Sequence, residues 1–256
     1  MIAVELKSVC KQFPNMSYPA LDHVSVQVEE GEFVTILGSS GCGKTTLIKM
    51  INRLYEPDDG EILLYGKNIL ESDPVGLRRS IGYVIQQTGL FPHMTVKKNI
   101  ATIPKILKWD KKRIDEQVDR MLELVQLDPE EFRDRYPAQL SGGQQQRVGL
   151  ARALICDPKV CLLDEPFGAI DAINREKLQN ELKAIHARSR KTYLFVTHDI
   201  REALRLGTKV IIMNRGKILQ YAAPEEILTH PADSFVEELL QTADVTKDFV
   251  DQGEGI

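Results

Sequence analysis

The sequence predicts an α/β fold: a mostly parallel sheet, an antiparallel β subdomain at the N-terminal end, and a helical subdomain inserted in the middle. Three observations carry that prediction. Short apolar runs of strand length alternate with segments whose apolar residues recur at helical spacing. One of those strands runs through a glycine-rich turn directly into a helix. From about Asn99 to Ala153 the strand signal gives way to helical periodicity.

Taken in order, residues 4–30 alternate loosely between apolar and polar, broken at residues 13–19 by a stretch with Pro, Asn and Ser. Two antiparallel strands are expected there. Residues 32–37 are apolar and partly β-branched, the pattern of a buried strand. The glycine-rich turn at 38–43 follows, then Leu47, Ile48, Ile51 and Leu54 at helical spacing. Residues 62–65 and 81–85 read as further strands. Ile114, Val118, Met121 and Val125 form an apolar helical stripe in the middle region. Core strands return at 160–163, 193–196 and 210–213, separated by helical segments at 174–187 and 200–206. Strands alternating with helices imply a sheet covered on both faces. The expected organisation is a single domain over residues 1–240, with the helical subdomain at about 91–157 and a polar, loosely ordered tail at 241–256.

Composition narrows the function classes. The chain has 256 residues and a net charge of -4, so it lacks the basic footprint of a nucleic-acid binder, and no nucleic-acid partner is expected. Cys10, Cys42, Cys156 and Cys161 form neither a C-x-x-C pair nor a zinc-type spacing, which fits a reduced compartment. The N-terminus does not read as a signal peptide. No apolar run approaches the roughly 20 residues of a spanning helix. Work at a membrane would require another chain to hold this one there.

Gly38-Ser39-Ser40-Gly41-Cys42-Gly43-Lys44-Thr45 fits G-x-x-x-x-G-K-[ST]. Glycines let the backbone close around phosphate oxygens with successive N–H groups turned inward. The N-terminus of the next helix adds partial positive charge. Lys44 is placed to reach the β- and γ-phosphates, and the Thr45 hydroxyl to bind Mg²⁺. With Thr46 beside them, residues 38–46 form the expected phosphate-binding set of a P-loop NTPase core. The strand at 160–163 ends in Asp164-Glu165. Ligands of open α/β sheets bind beyond the carboxyl ends of strands. Asp164 is expected to hold Mg²⁺, and Glu165 to activate or orient a water against the γ-phosphate.

Leu140-Ser141-Gly142-Gly143-Gln144-Gln145-Gln146-Arg147 lies between these two motifs. With this run the sequence resembles the ATP-binding cassette (ABC) ATPases over residues 1 to about 235. The resemblance implies ATP and Mg²⁺ as cofactors. It marks Gln86 as the Q-loop glutamine, touching the metal and facing membrane subunits. It implies that Ser141, Gly142, Gly143 and Gln144 contact the nucleotide on a partner cassette, with the helix after them starting near Gln144. Gly168-Ala169-Ile170-Asp171 is similar to the D-loop, with isoleucine at 170 where leucine is common. His198 matches the switch histidine at the γ-phosphate. Phe13 stands where an aromatic stacks on adenine, with Tyr18 as the alternative. Implied partners are a second copy in an ATP-sandwich homodimer, integral membrane permease subunits, and an extracellular substrate-binding protein. The implied location is the cytoplasmic face of the membrane, as a peripheral protein.

A finer resemblance lies in residues 77–96, 50–54 and 231–236, which are similar to the ATPases of osmoprotectant importers for glycine betaine, carnitine or choline. Many of those add a C-terminal pair of regulatory CBS domains, and this sequence ends at residue 256 without one. Alternatives are the ATPase of another small-solute importer, or a non-transport ABC ATPase of DNA repair or translation. The short interval between Lys44 and Ser141 leaves no room for a coiled-coil arm.

Overall fold

The computed structural model describes residues 1–14, 16–86 and 89–242. Asn15, Gln87 and the expected tail from 243 onward lie outside the described residues. The chain begins β1 (Ile2–Lys11), β2 (Leu21–Glu29), β3 (Phe33–Gly38), α1 (Lys44–Ile51), β4 (Asp59–Leu64), β5 (Lys67–Asn68), α2 (Pro74–Ser80) and β6 (Ile81–Val84). A helical series follows: α3 (Val96–Ile100), α4 (Thr102–Ile106), α5 (Lys111–Leu124), α6 (Pro129–Phe132) and α7 (Gly142–Leu154). Then come β7 (Val160–Asp164), α8 (Ala172–Ser189), β8 (Thr192–Val196), α9 (Ile200–Leu206), β9 (Lys209–Asn214), β10 (Lys217–Ala222), α10 (Pro224–Thr229) and α11 (Ser234–Thr242). The described residues form two compact units, Met1–Pro74 with Thr192–Thr242, and Val75–Lys191. Among the described residues no helix is long and apolar enough to cross a membrane.

In the first unit, β1 pairs antiparallel with β2 and with β4, placing Leu6 opposite Val26 and Ile62. Alternation along β2 buries Leu21, Val24, Val26 and Val28 and turns the residues between them outward. All six residues of β3 are buried, because β3 lies between two parallel neighbours: Ile36 is opposite Val196 of β8 and Ile211 of β9. A strand covered in this way must be apolar or satisfy its polar groups internally, and the one polar side chain of β3, Thr35, donates to the Ala203 carbonyl at 3.0 Å. The β9–β10 hairpin turns through Arg215 and Gly216, both at positive φ, as a two-residue turn between twisted strands requires. Leu37 of β3, Ile200, Ala203 and Leu204 of α9, Val210 and Ile212 of β9, Ile227 of α10, and Val236 and Leu240 of α11 share one core.

In the second unit, β6 and β7 run parallel, with Val84 opposite Leu163. Asp110 caps α5 by accepting from the Arg113 N–H, and α5 buries Ile114, Val118, Met121 and Leu122. That side of α5 packs on α7. Asn99, fully buried on α3, ties the preceding loop. Its Oδ1 accepts from Phe91 N–H at 2.8 Å, and its Nδ2 donates to the carbonyls of Phe91, Met94 and Thr95, each at 3.1 Å. Phe91 is left 40% exposed at the surface of that loop.

The structure revises several boundaries. Helix α1 stops at Ile51 with Asn52 as its cap, so Leu54 is not part of its apolar stripe and is 44% exposed. Helix α7 starts at Gly142, two residues before the expected start at Gln144, because Ser141 caps it. Helix α11 runs through Thr242, so residues 241 and 242 are helical instead of tail. The short β5, the edge strand β10 and the helices α10 and α11 are additional elements.

The core of the first unit yields a stability prediction. Ile212 is fully buried on β9. Ile212→Ala should lower the unfolding free energy by about 2–5 kcal/mol, the usual cost of a cavity of that size. A urea titration followed by circular dichroism checks this.

Candidate functional site

The glycine-rich turn leaves β3 at Gly38 and enters α1 at Lys44. Two of its glycines are demanded by close backbone approach. A Cβ on Gly38, at φ 154°, would lie 2.1 Å from the Met213 carbonyl oxygen. One on Gly43, at φ 111°, would lie 2.2 Å from the Ala20 carbonyl oxygen. The loop is therefore pressed against β9 and the start of β2. The β9–β10 turn adds a bond, Gly216 N–H donating to the Cys42 carbonyl at 3.0 Å.

Lys44 is only 7% exposed. Its Nζ donates to the carbonyls of Gly38 at 2.8 Å and Ser39 at 2.9 Å, so the buried ammonium is matched by loop oxygens. Cys42 is buried beside it, Sγ 3.8 Å from Nζ, and burial pushes its thiol above the usual range. The rim differs. Ser39, Ser40 and Gly41 are exposed, while Thr45 and Thr46 are half-buried in the first turn of α1. At Gly41 an added Cβ would meet only the Tyr18 hydroxyl, 4.0 Å away, so the loop is uncrowded on that side. An open cradle of positive-φ backbone at a helix N-terminus, with a buried lysine at its base, fits a polyphosphate.

The predicted adenine-side aromatic is half-buried. Phe13 meets the ring of Tyr55 edge-on, centroids 5.3 Å apart, and the Lys11 Nζ lies 5.7 Å from its centroid. The segment before it is held by Asp58, whose carboxylate accepts from the Gln12 N–H and the Lys11 Nζ, both at 2.7 Å. Those bonds, the Gln12 amide first, hold the Asp58 carboxyl below its ordinary range. His198 follows β8 and is exposed. Its neighbours are fixed: Thr197 Oγ1 donates to the buried Glu202 carboxylate and accepts from the Asp199 N–H at 3.0 Å. Asp199 caps α9 through the Arg201 and Glu202 amides.

The second unit contains the other predicted residues. Asp164, 1% exposed, ends β7. Glu165 follows at φ 48°, a left-handed setting that non-glycine residues seldom adopt and that costs energy to hold. Its Oε2 accepts from Gln86 Nε2 at 3.2 Å, so the structure brings two predicted residues together. Ser141 and Gln144 form a capping box, with Gln144 N–H to Ser141 Oγ at 3.3 Å and Ser141 N–H to Gln144 Oε1 at 2.9 Å. Gly142 and Gly143 form the first turn of α7, and a Cβ on Gly143 would sit 3.0 Å from the Ala169 carbonyl oxygen. Asp171 caps α8, taking Asn174 N–H on Oδ1 at 3.1 Å and Asn174 Nδ2 on Oδ2 at 2.7 Å.

Sequence reasoning missed two contributors. Asp58 fixes the Phe13 segment, and its only sequence signal is an ordinary turn, Asp58-Asp59-Gly60. Gln146 lies inside the run at 140–147, yet repeated glutamines on a helix look like solvent-facing residues. Here it is 4% exposed and bonded to Glu165 and Ala169.

Asp58 supplies a test of this local architecture. Asp58→Ala should speed hydrogen exchange at the Gln12 amide by about tenfold, the loss of one charge-assisted bond, with α1 unaffected. A depressed carboxylate pKa means the tie is intact above the unfolded-state value and is lost as pH falls through the lower folded value. Protection of Gln12 in the unsubstituted protein should therefore stay level from about pH 7 to about pH 5.

Comparison with known proteins places these features in a family. The family model described as ABC transporter matches residues 21–168. The choline transport ATP-binding protein OpuBA of Bacillus subtilis (strain 168) is 52% identical over 221 residues, covering 86% of this chain and 58% of that one. The glycine betaine/carnitine/choline transport ATP-binding protein OpuCA of the same organism matches to the same extent. The chain thus spans about 58% of the length of these curated relatives. Among solved structures, the ATP-binding cassette MJ0796, in a dimeric post-hydrolysis state bound to ADP and Pi, aligns with a TM-score of 0.80. It is 35% identical, and the match covers 86% of this chain and 98% of that one. The fold is that of the P-loop NTPases in their ABC form, and the chain belongs to the ABC transporter family.

Proposed function

We propose that this chain is the ATP-hydrolysing subunit of an importer for an osmoprotectant such as glycine betaine, carnitine or choline. The observation that carries the hydrolytic part is Glu165. It follows a buried aspartate at a strand end, and its carboxylate faces the Gln86 amide at 3.2 Å. The solute class is supported by relatives 52% identical that are named for those compounds.

In this reading residues 38–46 and the Lys44 ammonium bind the ATP phosphates, and Phe13 packs on the adenine. Thr45, Gln86 and Asp164 are oxygen donors of the kind Mg²⁺ takes. Mg²⁺, when bound, would neutralise charge on the phosphates during transfer. Glu165 orients the attacking water and accepts its proton, and His198 donates a hydrogen bond to the γ-phosphate. Two copies pair head to tail, with ATP between the phosphate loop of one and Ser141, Gly142, Gly143 and Gln144 of the other. Asp171 stands at that same junction. The pair works at the cytoplasmic face of the membrane as a peripheral component. It acts with integral permease subunits and an extracellular substrate-binding protein, without nucleic acid.

Two measurements test this. In the purified chain, Lys44→Ala and Glu165→Gln should each lower ATP turnover by about a hundredfold or more, as expected for groups acting on the transferred phosphoryl. Cells lacking the gene should regain uptake of labelled glycine betaine, carnitine or choline at high osmolarity with the unsubstituted gene but not with Lys44→Ala. Hydrolysis without uptake of any of the three would redirect the solute assignment. Full hydrolysis by Lys44→Ala would end the ATPase reading.

A further inference from the structure

Glu165 occupies an unfavourable backbone setting, and something must hold it there. At φ 48° a glutamate gains nothing locally, and such settings persist only where surrounding bonds over-determine them. Within residues 165–170 two turn bonds help: Gly168 N–H to the Glu165 carbonyl at 3.2 Å and Ile170 N–H to the Phe167 carbonyl at 3.1 Å. Further support comes from outside the turn, from a side chain on α7.

Gln146 is 4% exposed in the second turn of α7. Its Nε2 donates to the Glu165 carbonyl at 3.0 Å, and its Oε1 accepts from the Ala169 N–H at 2.8 Å. One carboxamide therefore bridges both ends of the 165–169 turn. The Glu165 carbonyl then has both lone pairs engaged, by Gly168 and by Gln146. Gly143, on the same helix, lies so close to Ala169 that an added Cβ would come within 3.0 Å of its carbonyl. Helix α7 is thus seated on this turn at two points. The glutamine suits the task at any pH, since an uncharged carboxamide presents a donor and an acceptor side by side on a planar head, which a carboxylate does not.

We propose that Gln146 is a positioning residue for hydrolysis. It holds the left-handed turn that aims the Glu165 carboxylate at Gln86, and it ties that aim to the helix whose first residues form the Ser141–Gln144 capping box. This rests on the ATPase reading above, in which Glu165 orients the water. Any displacement of α7 that accompanies engagement at Ser141 is passed to the Glu165 backbone by the Gln146 side chain. The carboxylate is correctly set only when α7 is correctly seated.

The test uses the purified chain, with steady-state ATP turnover. Gln146→Leu keeps the bulk and removes both bonds. It should lower kcat by about tenfold or more while KM changes by less than about threefold, because the loss falls on the reacting geometry and not on nucleotide binding. In a Glu165→Gln background, single-turnover rates should show no further loss from Gln146→Leu, as expected for two residues acting through one group. Gln146→Glu supplies an independent check. A neutral glutamic acid can donate to the Glu165 carbonyl and accept from the Ala169 N–H, whereas its carboxylate cannot donate. The ratio of Gln146→Glu to unsubstituted rate should therefore rise as pH is lowered from about 8 to about 6, burial having raised the new carboxyl's pKa. An unchanged kcat in Gln146→Leu, parallel changes in kcat and KM, or a loss that multiplies with Glu165→Gln would overturn the proposal. If Gln146→Leu does not fold, the pH ratio of Gln146→Glu decides, and a flat ratio overturns it. A chain whose turnover survives Lys44→Ala and Glu165→Gln would instead remove the ATPase reading on which the proposal stands.

Discussion

A buried ammonium must find oxygen, and much of the first unit is arranged around that requirement. Lys44 carries its charge where little water reaches it. The loop folds back so that the carbonyls of Gly38 and Ser39 meet it. Such a reversal forces backbone against backbone, at Met213 and at Ala20, which only glycine allows. Those contacts in turn require β9 and the start of β2 to stand where they do. The fully buried β3, the parallel neighbours β8 and β9, and the β10 hairpin that bonds to Cys42 follow as the scaffold that holds one short loop in place.

The second unit meets a different constraint with a similar device. There the difficult group is a backbone, that of Glu165, and the remedy is a network of amides. Polar side chains elsewhere in the chain act in the same manner. Asp58 fixes the segment before Phe13, Thr197 and Glu202 fix the segment around His198, and Asp171 fixes the start of α8. In the first two cases the residue with a proposed chemical role, Phe13 or His198, is exposed or half-buried, and its segment is held by neighbours that touch no ligand in the proposed mechanism.

How much of this could be read in advance depended on the range of the interaction. Strand β3, the loop at 38–45 and helix α9 were legible because period and glycine spacing are local properties, and α9 was placed residue for residue at 200–206. The family followed from one contiguous run at 140–147. Leu54 misled because periodicity alone does not register a helix end, and no glycine or proline marked the stop at Asn52. Strand β10 was missed because Lys217–Ala222 is only partly buried at a sheet edge, which weakens its apolar pattern. Gln146, Asp58 and Asn99 were invisible as contributors, since each acts through partners fixed by tertiary structure. A polar residue on a helix reads as solvent-facing until its neighbours are known.

The loop tied by Asn99 has a consequence for recognition. Four bonds from one fully buried carboxamide hold residues 91–95 in a single shape and leave the Phe91 ring at the surface. A flexible loop loses conformational freedom when it docks, and that loss subtracts from affinity. Here the bonds of Asn99 already order residues 91–95, so a partner packing on the Phe91 ring would incur little of that loss.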